Sequence, residues 1–144
     1  MITPFAKRAV LCLTALTMAS PVLAEDAQNA QVSIELNALE TVEDACRISF
    51  LIQNGHDTDI SKAVYETVLF DTDGRVERLT LFDFGELPSA RLRVRQFVVP
   101  GLPCTSLGRL LINGAQTCSG EGLPDGACTK DLKVSSRTDV EVLG

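Results

Sequence analysis

The chain of 144 residues contains no tryptophan, one tyrosine, one histidine and two methionines. With His56 as its single imidazole, it lacks the Cys/His spacing of a structural zinc site. No Cys-x-x-Cys is present, so the cysteines do not form a redox motif. Gly-x-Ser-x-Gly is absent, and Ser119-Gly120-Glu121-Gly122 lacks the strand-to-helix setting of a nucleophile elbow. Phosphate-loop and dinucleotide fingerprints are missing too, and no cofactor is expected. Basic residues are in deficit, 13 Lys and Arg against 19 Asp and Glu, for a formal charge of −6. A polyanion needs a basic face, so nucleic acid is not an expected partner. What is present is ordinary for one globular domain: 45% hydrophobic and 22% charged residues, without low-complexity tracts.

Residues 1–24 read as a secretory signal peptide. Lys7-Arg8 precede an apolar run from Ala9 to Ala19, and Val22-Leu23-Ala24 offers a small-residue cleavage site before Glu25-Asp26. The run is short for a hydrocarbon layer of about 30 Å and Pro21 follows it, so no membrane anchor is expected after cleavage. Cutting 24 of 144 residues leaves 120. Losing Lys7 and Arg8 takes the charge from −6 to −8, and losing Cys12 takes five cysteines to four. An even count in an exported domain points to two disulfides and to the periplasm or the exterior.

The mature chain reads as strands, with residues 25–30 as a loose leader and residues 31–144 as one domain. Apolar residues recur at every second position in Val32-Ile34-Leu36 and Cys46-Ile48-Phe50-Ile52. Ala63 to Phe70 is β-branched and aromatic. Turn residues punctuate the runs at Asn54-Gly55, Asp73-Gly74, Gly85 to Ser89, Pro100-Gly101, Asn113-Gly114 and Gly120 to Gly126. Short strands at this spacing predict an all-β fold, an immunoglobulin-like antiparallel β-sandwich of about seven strands. Those strands are 31–38, 46–54, 63–71, 76–84, 91–99, 107–113 and 131–142. Asp73-Gly74 predicts a tight hairpin between Tyr65–Phe70 and Val76–Phe84. A Ca²⁺ loop starting at Asp71 would need Glu at its twelfth position, which is Phe82.

Four cysteines allow three pairings. In an immunoglobulin-like order the second strand lies antiparallel to the fifth. Cys46 opens the second and Cys104 lies just past the fifth, so both reach the same end of the sandwich. Cys118 and Cys128 flank the loop before the last strand. The expected bridges are Cys46–Cys104 and Cys118–Cys128.

Three groups of polar residues could carry chemistry or binding. His56 with Asp57 and Asp59 could ligate a metal or small ligand, against the plainer reading of a solvated loop. Glu66, Asp71, Asp73, Glu77 and Asp83 lie on neighbouring strands or their turn, where facing carboxylates could serve a hydrolase. The plainer reading there is a solvated sheet face, because a chain without Trp and with one Tyr builds a poor substrate cleft. Arg91, Arg93 and Arg95 alternate with Leu92 and Val94, so a strand sends all three to one face. With the preceding strand in hairpin register they would pair with Asp83 and Glu77, or else form a cationic stripe for an anionic partner. The same hairpin, with Phe82 and Phe84 inward beside Leu92 and Val94, puts Leu79, Leu81, Phe97 and Val99 on the arginine side. Arg91, Arg93, Arg95, Leu79, Leu81 and Phe97 are then a candidate interaction face, unless the other sheet or a loop covers the apolar positions or the register of the strand slips by one residue.

Through Val64-Tyr65-Glu66-Thr67-Val68-Leu69-Phe70-Asp71, Leu79-Thr80-Leu81-Phe82-Asp83-Phe84, Leu87-Pro88, Val94-Arg95-Gln96-Phe97, Gly108 to Asn113 and Ser135 to Glu141, the chain resembles small exported alphaproteobacterial proteins. These are often labelled "Tat pathway signal sequence domain protein". The resemblance implies export and no transferable activity. Lys7-Arg8 departs from the twin arginines of that label, which bears on the export route and not on export. More loosely, Leu69-Phe70-Asp71 followed by Gly74 is similar to bacterial fibronectin-type and other immunoglobulin-like envelope modules. The expected function is a non-catalytic accessory module whose partner is another envelope protein. A metal- or ligand-binding protein using the His56 loop is the alternative, and a carboxylate hydrolase a third.

Overall fold

Period-two alternation hardens into eight strands in the computed structural model, which describes residues 30–144. The signal segment 1–24 and leader residues 25–29 lie outside the described residues. The strands are β1 (Val32–Val42), β2 (Ala45–Asn54), β3 (Ile60–Phe70), β4 (Val76–Leu87), β5 (Leu92–Val99), β6 (Arg109–Ser119), β7 (Lys133–Ser136) and β8 (Glu141–Leu143). They form two four-stranded sheets, β5-β2-β1-β7 and β4-β3-β6-β8. Their inner faces pack as a β-sandwich around Ile34, Ile48, Phe50, Tyr65, Phe84 and Leu110. No helix among the described residues is long and apolar enough to cross a membrane.

Turn chemistry places the strands. Glu43-Asp44 closes β1 onto β2, with Val42 opposite Ala45 and Glu43 at φ 56°. The predicted β3–β4 hairpin forms as expected. Gly74 adopts φ 80°, and the Asp71 carboxylate accepts from the backbone N–H of Asp73 and Arg75. The second strand pairs antiparallel with the fifth, Cys46 opposite Val99. That neighbourhood is what brings Cys104 to Cys46, and both expected disulfides are present, Cys46–Cys104 and Cys118–Cys128.

Three details differ from the expectation. The segment 131–142 is not one strand: β7 runs parallel to β1 and β8 parallel to β6. Between them the Ser136 and Thr138 hydroxyls accept from the backbone N–H of Thr138 and Val140, turning the chain from one sheet to the other. Asn113-Gly114 is no turn either. It is absorbed in β6 as a bulge, with Thr67 opposite Ile112 and Glu66 opposite Gly114. Finally, β4 and β5 do not form a hairpin. They are edge strands of different sheets on the same side of the sandwich. Pro88 ends the β4 ladder, Ala90 takes φ 56°, and Ser89 is held by Asp59 Oδ1 and the His56 carbonyl, which steers the chain across the layers.

Closing loops of 58 and 10 residues, the disulfides restrict the unfolded chain unequally. Replacing Cys46 and Cys104 by Ala should cost about 4 kcal/mol, and replacing Cys118 and Cys128 about 3 kcal/mol. Urea titrations of the two double variants measure both losses and test their order.

Candidate functional site

Where β4 and β5 run, two sheet edges lie open together on one side of the sandwich. Each β5 residue faces in or out by parity. The alternation offers two choices, and the inward set is Arg93, Arg95, Phe97 and Val99, opposite to the register in which Leu92 and Val94 point inward. Phe97 decides it. Its ring stacks on Phe82 at 4.3 Å and meets Phe84 at 5.2 Å and Phe50 at 6.0 Å. Leu92, Val94 and Val98 consequently stand on the outer face, 54%, 57% and 55% exposed.

The arginines turned inward near this open side do not meet carboxylates. Arg95 reaches across to the other sheet: Nε donates to the Phe84 carbonyl at 2.7 Å and Nη2 to the Glu86 carbonyl at 2.9 Å. Its Nη1 donates to the Val94 carbonyl of its own strand, and Arg93 Nη1 to that of Leu92. From the opposite edge, Arg78 donates to the Pro100 carbonyl at 2.7 Å. The expected pairing with Asp83 and Glu77 is absent, because β4 and β5 share no ladder. Asp83 sits beside Lys62 instead, at 3.6 Å. Arg78, Arg91, Arg93 and Arg95 make no salt bridge among the described residues, in a chain of formal charge −6.

The candidate interaction face therefore divides. Phe97 is half-buried against the core and Arg95 belongs to the sheet-to-sheet clamp, whereas Leu79 and Leu81 are 58% and 47% exposed on the outer face of β4. Strand register continues that apolar surface beyond β4. Leu79 lies opposite Val68, Val68 opposite Leu111 and Leu111 opposite Leu143, an apolar row crossing all four strands of the sheet in which Val68 is buried and Leu111 half-buried between the exposed ends. Val76 and Phe70 form the start of a second row, which ends in the ion pair Arg109–Glu141. The signal for Leu111 and Leu143 was the outward phase of β6 and β8, which required knowing which strands adjoin.

The carboxylates serve structure. Asp71 orders its own turn, Asp83 accepts from the Gly85 N–H, and Glu66 accepts from Asn113 across the β3–β6 ladder. Glu77 is exposed on β4.

His56 corrects the plain expectation of a solvated loop, being 6% exposed. Its Nε2–H donates to the Ala127 carbonyl at 2.8 Å, which assigns the ring proton to that nitrogen. Asn54 holds the loop from below, accepting from the His56 N–H and donating to the Thr58 and Leu87 carbonyls. Asp57 is exposed and Asp59 caps Ser89, so the three do not converge; no group of three metal-ligating side chains occurs among the described residues. Alongside, the Tyr65 hydroxyl donates to the Cys128 carbonyl, and burial raises its pKa well above the ordinary tyrosine value. His56 and Tyr65 thus pin the loop closed by Cys118–Cys128 against the sandwich.

Phe97→Ser should destabilise the fold by about 3 kcal/mol, since it empties the stacked position between the sheets. Leu81→Ser should stay within about 0.5 kcal/mol of the native chain. Thermal melts of the two variants separate the core position from the surface position.

Comparison with known proteins places the fold. No family model and no curated protein matches the sequence. Among solved structures, IrmA from Escherichia coli is similar, with a TM-score of 0.58 at 15% identity, over 72% of this chain and 90% of that one. At this identity the likeness shows a shared architecture and carries no activity across.

Proposed function

We propose that the protein is a non-catalytic interaction module of the bacterial cell envelope, exported to the periplasm, that docks onto another envelope protein. The observation that carries the reading is the apolar outer face of β4, where Val76, Leu79 and Leu81 stand 64%, 58% and 47% exposed and where an ordinary solvated sheet would place polar residues. Isolated exposed leucines are common, but three large apolar residues on one edge strand, backed by the half-buried Leu111, are the kind of surface that partners cover. Two disulfides are compatible with an oxidising compartment, and the leader-like segment 1–24 supports export. The strand order through β6, with β2 beside β5 and β3 beside β6, supports reading the sandwich as immunoglobulin-like, a scaffold that commonly presents binding surfaces. The resemblance to exported alphaproteobacterial proteins points the same way.

A photo-crosslinking residue placed at Leu79 should give one discrete adduct in intact cells, while the same residue at Glu121, on the far loop, should not. Leu111→Asp, on the same row, should remove the adduct without changing expression or the melting curve. Equal adducts from both positions, or none from Leu79, would count against docking through this face.

A further inference from the structure

The turn that begins β2 determines what the open edge of β5 offers. Val42 and Ala45 face each other across a two-residue turn, so they exchange backbone hydrogen bonds, and odd-numbered residues of β2 point their N–H and C=O groups toward β1. Even-numbered residues, Cys46 to Asn54, then point toward β5, where their partners are the odd-numbered Arg93, Arg95, Phe97 and Val99. The main-chain groups of Leu92, Val94, Gln96 and Val98 are left on the free edge. Of these, the Leu92 and Val94 carbonyls are occupied by the guanidinium groups of Arg93 and Arg95. What remains is an edge whose N–H donors have no partner among the described residues, with two of its acceptors covered and positive charge along it.

We infer that this edge receives an extended segment of the partner protein by strand addition, and that the segment carries carboxylates at alternate positions. The inference rests on the interaction-module reading but names a second surface and the chemistry that fits it. Arg91, Arg93 and Arg95 are two residues apart, a repeat of about 6.8 Å in a strand and the same repeat that alternate side chains follow in an added strand. None of the three has a carboxylate partner among the described residues. As the incoming N–H groups take the Leu92 and Val94 carbonyls, Arg91 and Arg93 turn to the incoming carboxylates, while Arg95 keeps its hold on Phe84 and Glu86. Leu92, Val94 and Val98, more than half exposed on the outer face, provide the apolar neighbours for the residues between. A second copy is disfavoured, because two β5 edges would set arginines against arginines. An anionic polysaccharide would match the charge but neither the row of N–H donors nor the apolar face.

The probe is an eight-residue peptide alternating Glu and Val, blocked at both ends, titrated into the oxidised full chain with the amide resonances of residues 92–98 followed by NMR. Binding should shift those amides, and an analogue alternating Lys and Val should bind at least about tenfold more weakly. So should the native peptide with the double variant Arg91→Glu and Arg93→Glu, whose melting curve confirms folding and which keeps Arg95. Methylating the peptide nitrogens that face β5 should abolish the shifts, whereas Leu79→Asp should leave them unchanged. Several outcomes overturn the inference: no binding, equal binding of the Lys analogue, binding that survives methylation, shifts centred on Leu79 and Leu81, or equal shifts by heparin. Each of those results leaves the adduct from Leu79 untouched, so the failure of strand addition is distinguishable from the failure of the module reading.

Discussion

Five aromatic rings clamp the two sheets together on the side where both end in an open edge. Phe50 contributes from the centre of one sheet and Phe97 from its edge; Phe82, Phe84 and Tyr65 come from the other, with centroids 4.3 to 6.0 Å apart. Each such pair adds about 0.5–1.5 kcal/mol beyond the area it buries, so the cluster outweighs what β5 would gain by hiding Leu92 and Val94 instead. Once Phe97 faces in, period two carries Arg93 and Arg95 in with it, and guanidinium groups cannot sit in a dry core without acceptors. They find them in backbone carbonyls at the rim. Surface charge, edge polarity and exposed valine and leucine are all consequences of where one phenylalanine packs.

Much of this architecture was legible in the residues, and for reasons that can be named. Strand positions follow from alternation that a half-buried sheet enforces, as at Val32-Ile34-Leu36. The disulfide pairing follows from one topological fact, the adjacency of the second and fifth strands, which puts Cys46 and Cys104 at one end. The face of β5 was harder. Leu92, Val94 and Val98 against Phe97 and Val99 give more apolar residues to the outer phase than to the inner, so counting favours the wrong side. Only the identity of the neighbour across the layers, Phe82, resolves it, and that neighbour depends on β4 and β5 belonging to different sheets. Gly85 to Ser89 looked like the turn of a hairpin because hairpin and cross-layer links use the same residue types.

His56 shows a different limit. A lone imidazole between Gly55 and Asp57 has the composition of a wet loop, yet it is buried because a loop distant in sequence, 120–132, folds over it and offers the Ala127 carbonyl. Nothing within a few residues of His56 signals that lid. The anchoring is cooperative: the Cys118–Cys128 bridge shapes the loop, Tyr65 holds one carbonyl and His56 the next, so the loop is tied at three points. That explains why the single tyrosine and the single histidine of the chain lie so close to the same disulfide.

The edges of the sandwich show how one pattern can both prevent and permit association. Natural sheets guard open edges with inward-pointing charge, and Arg93 and Arg95 do so here by covering two acceptors of β5, the Leu92 and Val94 carbonyls. The guard is one-sided. In the proposed strand addition it disfavours neutral or basic strands, for which displacing a guanidinium from a carbonyl gains nothing, and leaves N–H groups and positive charge available to an acidic one. Discrimination of this kind comes from the repulsive half of the interaction as much as from the attractive half. For the proposed acidic partner, the net negative charge of the chain would weaken encounters with its acidic faces and favour those with the arginines of this edge.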